Sequence, residues 1–359
     1  MNSLDIAHHR LHNQKLLQTT FTKPSQVVTY LGAVQAQDYA GAKWALAQRI
    51  KSIITDAEID QAFADGAILR THLMRPTWHF VSPADIRWML MLTAPRVHAV
   101  NAYMYRKAEL DNDVLKKGKT LLVKALQDKQ LTRDELRDVF EQAGISMKTE
   151  FRMTYMMMWA ELEGVICSGA RKGKQFTYAL LEERVPQAKV LKREEALVEL
   201  IRRYFTSRGP ATLHDFTWWS GLTMEDAKNG IEMVKSEFIQ EDINGKMYWF
   251  SESKSSAKEK FPVIHLLPNY DEYFIGFKDR SAIGNRVNQP KMDQNSTALN
   301  IHIIFINGQI VGGWKRTITK NEVVVELNLL TSLTKAENQA ITVAAQRYSE
   351  FLGIPITLK

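Results

Sequence analysis

Apolar positions in the first 250 residues come in short runs at helical spacing, punctuated by glycine, proline and capping residues. Pro24–Leu31 opens the first run and Gly41–Ile50 carries the second. Thr55-Asp56-Ala57-Glu58 has the form of a helix N-cap with acid in the first turn, predicting a helix to about Asp65. After Gly66 the chain turns β-rich between Ile68 and Val81. Thr132-Arg133-Asp134-Glu135 is a capping box whose helix ends at Gly144, and a longer helix is expected over Thr149–Gly164. Val165–Leu181 alternates as a two-strand ribbon. Beyond Gly209-Pro210, Thr212–Ser220 and Thr223–Lys235 read as two helices with Gly221 at the turn. A hairpin over Phe238–Phe250 follows, turning at Asn244-Gly245.

Helix, helix, ribbon thus recurs three times before residue 250, and that is the element order of a winged helix. A polar linker, Ser251–Lys260, precedes a change of pattern. Strands are expected over Val263–Leu267, Ile301–Ile306, Gln309–Lys315 and Val323–Leu329, with a turn at Asn307-Gly308 and a closing amphipathic helix over Lys335–Leu352. The fold class is read as α+β: tandem winged-helix (helix-turn-helix) domains with a C-terminal β-rich domain. The units are drawn at 1–120, 121–190, 191–252 and 261–359.

Composition changes this picture little. A formal charge of +7 suits a polyanionic partner without demanding one. The single cysteine, Cys167, excludes an intramolecular disulfide and any zinc site with two or more thiolates, and its apolar setting predicts a buried structural thiol. The polar start Met1-Asn2-Ser3-Leu4-Asp5 has no signal-peptide core, and apolar windows are broken by charge before the roughly 20 residues of a membrane span. A cytoplasmic, nucleoid-associated protein is expected. No Walker loop, dinucleotide fingerprint, nucleophile elbow or zinc motif is found, so neither cofactor nor metal is expected.

Candidate chemistry is sparse. The second ribbon's tip carries Arg171, Lys172 and Lys174, three cations able to lie along phosphates. The third unit's second helix begins with Glu225-Asp226, which repels phosphate, and the second unit's helix is rich in core-forming methionine. Both facts weigh against reading sequence in the usual helix-turn-helix manner. Gln35 and Gln37, placed near a helix end, cannot titrate but can orient a water or meet a base edge. In Thr71–Val81, Arg75 is a candidate phosphate or base contact. His72 and His79, seven apart with no nearby carboxylate, make a weak metal site. Asp271-Glu272, with Lys278 and Arg280 nearby, reads as an internal ion-pair network. Lys315 and Arg316 add cations to the hairpin after Asn307-Gly308.

Four segments together carry a resemblance: Val34–Leu46 with its Gln35-Ala36-Gln37, Thr71–Val81, Leu267–Arg280 and Gly312–Arg316. They are similar to the winged-helix DNA glycosylases of the AlkZ/YcaQ type, in order from about residue 8 to the C-terminus. The resemblance implies three winged helices and a β-rich domain arranged as a C around duplex DNA, acting as a monomer. It implies a monofunctional glycosylase that hydrolyses the N-glycosidic bond of bulky or cationic N-alkylpurines, with some members unhooking interstrand crosslinks. Gln35-Ala36-Gln37 matches the Gln-x-Gln branch, so Gln35 and Gln37 are the implied catalytic pair; Asp38 falls one position late for the Gln-x-Asp branch. Arg75, Arg171, Lys172, Lys174, Lys315 and Arg316 are the expected DNA contacts. A non-catalytic winged-helix DNA-binding protein or regulator is the alternative the residues leave open.

Overall fold

The structure is a computed structural model that describes residues 1–187, 190–252, 262–287 and 302–359. Of the expected linker only Ser251 and Glu252 fall among them; its remainder, and Ile301 of the next expected strand, lie outside the described residues.

The first group of elements is Ser3–Asn13, Pro24–Leu31, Tyr39–Ala47 and Asp56–Ala64, all helical, with strands Leu69–His72 and Trp78–Val81. A third strand, Ala33–Gln35, joins the ribbon on its other side, pairing antiparallel with Trp78–Val81. The segment expected at a helix end is therefore an edge strand. The second group holds helices Ile86–Lys107, Asn112–Leu126, Arg133–Gln142 and Glu150–Leu162. Its sheet is Ile166–Ser168 and Thr177–Leu180 with Leu131–Thr132 added at the edge. The third holds Arg193–Arg208, Leu213–Ser220 and Met224–Val234, then the hairpin Ile239–Ile243 and Lys246–Phe250. Thr55, Thr132, Thr212 and Thr223 all close capping boxes, which is why these helices start where the sequence places them.

Four helices were not legible from periodicity: Ser3–Asn13, Ile86–Lys107, Asn112–Leu126 and Arg193–Arg208. Ile86–Lys107 contains Pro95 and buries Met89, Leu90, Leu92 and Ala94 on several sides, so no single apolar stripe marks it.

The C-terminal sheet runs Ile356–Leu358, Val323–Leu329, Gln309–Ile318, His302–Ile306, Ile264–Leu267. It is antiparallel except where Val323–Leu329 meets Ile356–Leu358. Helix Lys335–Leu352 covers it, and Asn307-Gly308 makes the hairpin turn with φ of 49° and 77°, the doubly left-handed geometry such turns require.

Two apolar cores locate the functional region between them. One joins all three helical groups through Leu69, Val81, Trp88, Leu200 and Trp219. The other packs the first group onto the C-terminal sheet, placing Val34, Trp44, Phe63 and Phe80 against Leu266, Trp314 and Tyr348. Trp44 Nε1 donates to Leu266 O at 2.7 Å, and Trp314 Nε1 donates to Leu267 O at 3.0 Å. Buried ion pairs cross the same boundary. Arg49 is fully enclosed, and its Nη1 and Nη2 donate to the two Asp271 oxygens, each at 2.8 Å. Cys167 is buried, and burial pushes its thiol up to about 12.

His265 lies inside this boundary, buried beside two cations. Burial first, then Arg347 and Arg49, depress its pKa from 6.5 to about 3. The unfolded imidazole takes a proton below about pH 6.5, whereas the folded one stays neutral to about pH 3, so stability falls as pH drops through that window. His265→Gln is expected to flatten the stability–pH curve between pH 6 and 4 by roughly 1 kcal/mol per pH unit, read by urea unfolding. An unchanged slope would contradict a neutral, buried His265.

Candidate active site

Gln35 ends the edge strand Ala33–Gln35, and its Cα partner across the ladder is His79. The adjacent position, Ala36, donates its N–H to Trp78 O at 2.8 Å. By the alternation of antiparallel ladders, Gln35 and His79 then form a non-hydrogen-bonded pair with side chains on one face. The Gln35 N–H points away from its partner strand, and Glu272 Oε1 receives it at 2.8 Å.

Glu272 is fully buried and accepts four hydrogen bonds. Its Oε2 accepts from Arg208 Nη2 at 2.7 Å, Arg208 Nε at 3.2 Å and Trp219 Nε1 at 2.9 Å. Arg208 in turn donates to Leu31 O at 2.8 Å and Ala33 O at 3.1 Å, the residues leading into the strand. The expected ion-pair network around Asp271-Glu272 exists, but its cations are Arg49 and Arg208. Arg280 instead donates from Nε to Phe274 O at 3.0 Å.

Gln35 is itself buried, and its Oε1 accepts from Arg75 Nη2 at 3.0 Å. A guanidinium can only donate, so the amide is oriented with its carbonyl toward Arg75 and its NH₂ directed elsewhere. Gln37 lies past the strand, is exposed, and accepts only a long bond from Trp78 N at 3.4 Å. The backbone between the two is clamped. Ala36 is buried with its N–H paired as above, and its carbonyl accepts from Arg70 Nε at 3.1 Å. Asp38 caps the helix Tyr39–Ala47 through Gly41 N at 3.1 Å and receives Arg316 Nη2 at 3.3 Å. A Cβ at Gly41 would stand 2.5 Å from Asp38 Oδ2, so the cap requires glycine there.

Arg75 has φ +55° and precedes proline, an unfavourable conformation for a residue with a side chain. Backbone strain of this kind concentrates at functional sites. Gly221, with φ +73°, leaves room for the Arg75 stem, since a Cβ there would come 3.3 Å from Arg75 Cγ. The guanidinium sits 5.9 Å from the Trp218 ring centroid. Burial lowers the Arg75 pKa and Glu272 opposes the shift. His79 is fully buried with Nδ1 3.0 Å from Thr77 O; burial, then Arg75, hold it neutral. His72 is buried against Glu161 and stacks on Trp78 at 4.3 Å.

The remaining expected contacts separate into two kinds. Arg171 packs on Tyr39 and Phe176 at 5.2 and 5.3 Å and lies 3.8 Å from Asp60. Arg316 is bonded to the Tyr348 hydroxyl at 2.8 Å as well as to Asp38. Lys172 makes an exposed ion pair with Glu135 at 2.7 Å, and Lys174 and Lys315 are exposed with no ion pair among the described residues. The fold brings Arg75 onto Gln35, leaves Arg316 on Asp38 beside Gln37 in the chain, and keeps the lysines at the surface. Sequence reasoning missed Arg208, Trp218 and the part played by Glu272. Only Glu272 had a signal, through the Leu267–Arg280 segment.

Among the described residues no helix is long and apolar enough to cross a membrane. The chain is 24% identical over 329 residues to the interstrand DNA cross-link repair glycosylase of Streptomyces sahachiroi, covering 88% of each. Its fold is similar to the solved structure of the Streptomyces sahachiroi DNA glycosylase AlkZ, with a TM-score of 0.81 at 20% identity over 100% of both chains. The description of the AlkZ-like DNA glycosylases matches residues 28–351. With nine-tenths of its length so matched and its fold in agreement, the chain belongs to the AlkZ-like family of DNA glycosylases, enzymes that hydrolyse N-glycosidic bonds.

Proposed function

We propose that this chain releases bulky or cationic N-alkylpurines from duplex DNA, interstrand crosslinks included, with Gln35 and Gln37 as its catalytic pair. One observation carries the reading: two glutamines on a clamped backbone, the first fixed in orientation by Arg75 and the second exposed with its carbonyl barely used. The Streptomyces sahachiroi relative is an interstrand DNA cross-link repair glycosylase, which supports the crosslink part.

The chemistry suits residues that do not titrate. A purine alkylated at N7 or N3 is already cationic and departs readily, so the sugar gains oxocarbenium character with little acid assistance. What remains is to place a water beneath C1′. Gln37 Oε1 accepts an O–H of that water, and the Gln35 NH₂ donates to the water or to a sugar oxygen. The C1′–N bond breaks with its electron pair, the purine leaves as the neutral base, and the water that bonds to C1′ loses its proton to solvent, so this is positioning and dipole catalysis with no proton taken by either amide. Placement at the rim also allows an adduct to remain partly outside the protein, in contrast to sites that enclose a flipped base. Lys174 and Lys315 meet phosphates directly. Lys172 exchanges its weak exposed partner for one, while Arg171 and Arg316 contribute from fixed positions. Four units acting as a monomer at the chromosome belong to the same proposal, with the first boundary placed before Ile86 and not at 120, because the helix Asn112–Leu126 runs across that position.

Single-turnover excision of N7-methylguanine from duplex DNA tests the pair. Gln37→Ala is expected to slow release about 100-fold, and Gln35→Ala by a smaller factor, because misplacing an attacking group costs on that order. Full excision by both variants would remove the assignment, and salt-sensitive binding without release by the parent would favour a non-catalytic protein. Replacing Lys174 and Lys315 together by alanine is expected to reduce the slope of log K against log salt by roughly 2, about 0.9 for each lost phosphate contact. An unchanged slope would exclude both from the DNA surface.

A further inference from the structure

We infer that Trp218 is the residue that recognises the damaged base, by presenting its indole face to the flat, cationic ring of an N-alkylated purine. The inference rests on the glycosylase reading above and names a specificity determinant within it.

Trp218 lies on the helix Leu213–Ser220, whose inner face buries Asp215, Phe216 and Trp219. Trp218 itself is 41% exposed, although an indole is among the costliest side chains to leave in water. Its polar edge does not account for the exposure, because Nε1 already donates to Ile275 O at 3.3 Å. That bond fixes the ring plane, and Arg75 covers part of the ring at 5.9 Å. Two-fifths of the residue is therefore open to solvent with its one polar group already engaged. The same Arg75 donates to Gln35, so the exposed ring stands two contacts from the catalytic pair. The helical turn Glu272–Ile275 supports both ends, with Glu272 accepting from Gln35 N and Ile275 accepting from the indole.

An indole face attracts cations through its quadrupole and stacks on any base. Alkylation at N7 or N3 leaves the purine flat and adds positive charge, so stacking on Trp218 favours the damaged base over its undamaged neighbours. No hydrogen-bond pattern of a particular adduct is needed, which suits a site that accepts adducts of different bulk.

The test is binding to duplex DNA containing 2′-fluoro-N7-methyl-2′-deoxyguanosine, whose fluorine suppresses cleavage while the base stays cationic, against the same duplex unmodified. Trp218→Leu keeps apolar bulk without a π face and is expected to lower affinity for the lesion duplex about tenfold more than affinity for the unmodified duplex. Trp218→Phe is expected to retain most of the preference. Equal loss on both duplexes, or a Trp218→Leu variant that still discriminates like the parent, would overturn the inference while leaving the glycosylase reading in place. A parent protein that neither prefers nor excises the lesion would overturn both. Thermal unfolding of Trp218→Leu matching the parent is expected, since the ring supports no core.

Discussion

A carboxylate taken wholly out of water is tolerable only when it is well supplied with donors, and Glu272 meets that condition with four hydrogen bonds from three residues in two distant parts of the chain. The N–H of Gln35 comes from the edge strand of the first helical group. The Arg208 guanidinium and the Trp219 indole come from the third group. Glu272 itself leads the short helical turn that enters the C-terminal sheet region. None of these groups can move without leaving a buried charge short of a partner. The position of the Gln-x-Gln backbone is therefore set by the packing of three segments on one carboxylate, and the neighbouring Asp271–Arg49 pair locks the same turn from the other side.

From that node the site follows in order. Gln35 is anchored through its main chain, which frees its side chain for Arg75, and Arg75 determines which end of the amide is the carbonyl. Ala36 is buried with both backbone groups paired, so a small residue separates two polar ones and delivers Gln37 to the surface at a fixed distance. Asp38 starts the next helix and meets Arg316 from the C-terminal sheet. Catalysis by positioning demands this kind of support, because an amide that drifts by an ångström loses most of what it supplies.

Local chemistry made much of this fold legible. Capping boxes at Thr55 and Thr132 and the doubly left-handed turns at Asn244-Gly245 and Asn307-Gly308 depend on a few adjacent residues, and each stands where the sequence put it. Ala33–Gln35 has only three residues and becomes a strand through pairing with Trp78–Val81, more than forty positions away. Its expected place at a helix end was wrong for that reason. The proposed roles of the glutamine pair come from resemblance to a family; the residues alone placed the pair near a helix end, whereas Gln35 is buried in an edge strand. Charges near Asp271 and Glu272 were legible as a network, but proximity in sequence pointed to Lys278 and Arg280. The actual partners, Arg49 and Arg208, are separated from them by 222 and 64 positions. Trp218 beside Arg75 brings a helix of the third group against a turn of the first, which no local pattern announces.

Glu272 serves the proposed site by holding Gln35, beyond its share in stability. Comparing Glu272→Gln with Asp271→Asn in single-turnover excision, after measuring the unfolding free energy of each, tests it most directly. Both variants weaken a buried ion pair, and both are expected to lose stability, up to about 3–5 kcal/mol. Excision by folded Glu272→Gln is expected to fall at least tenfold with DNA affinity retained, and folded Asp271→Asn is expected to stay near the parent rate. Equal rates in the two folded variants would contradict the claim and reduce Glu272 to a structural charge.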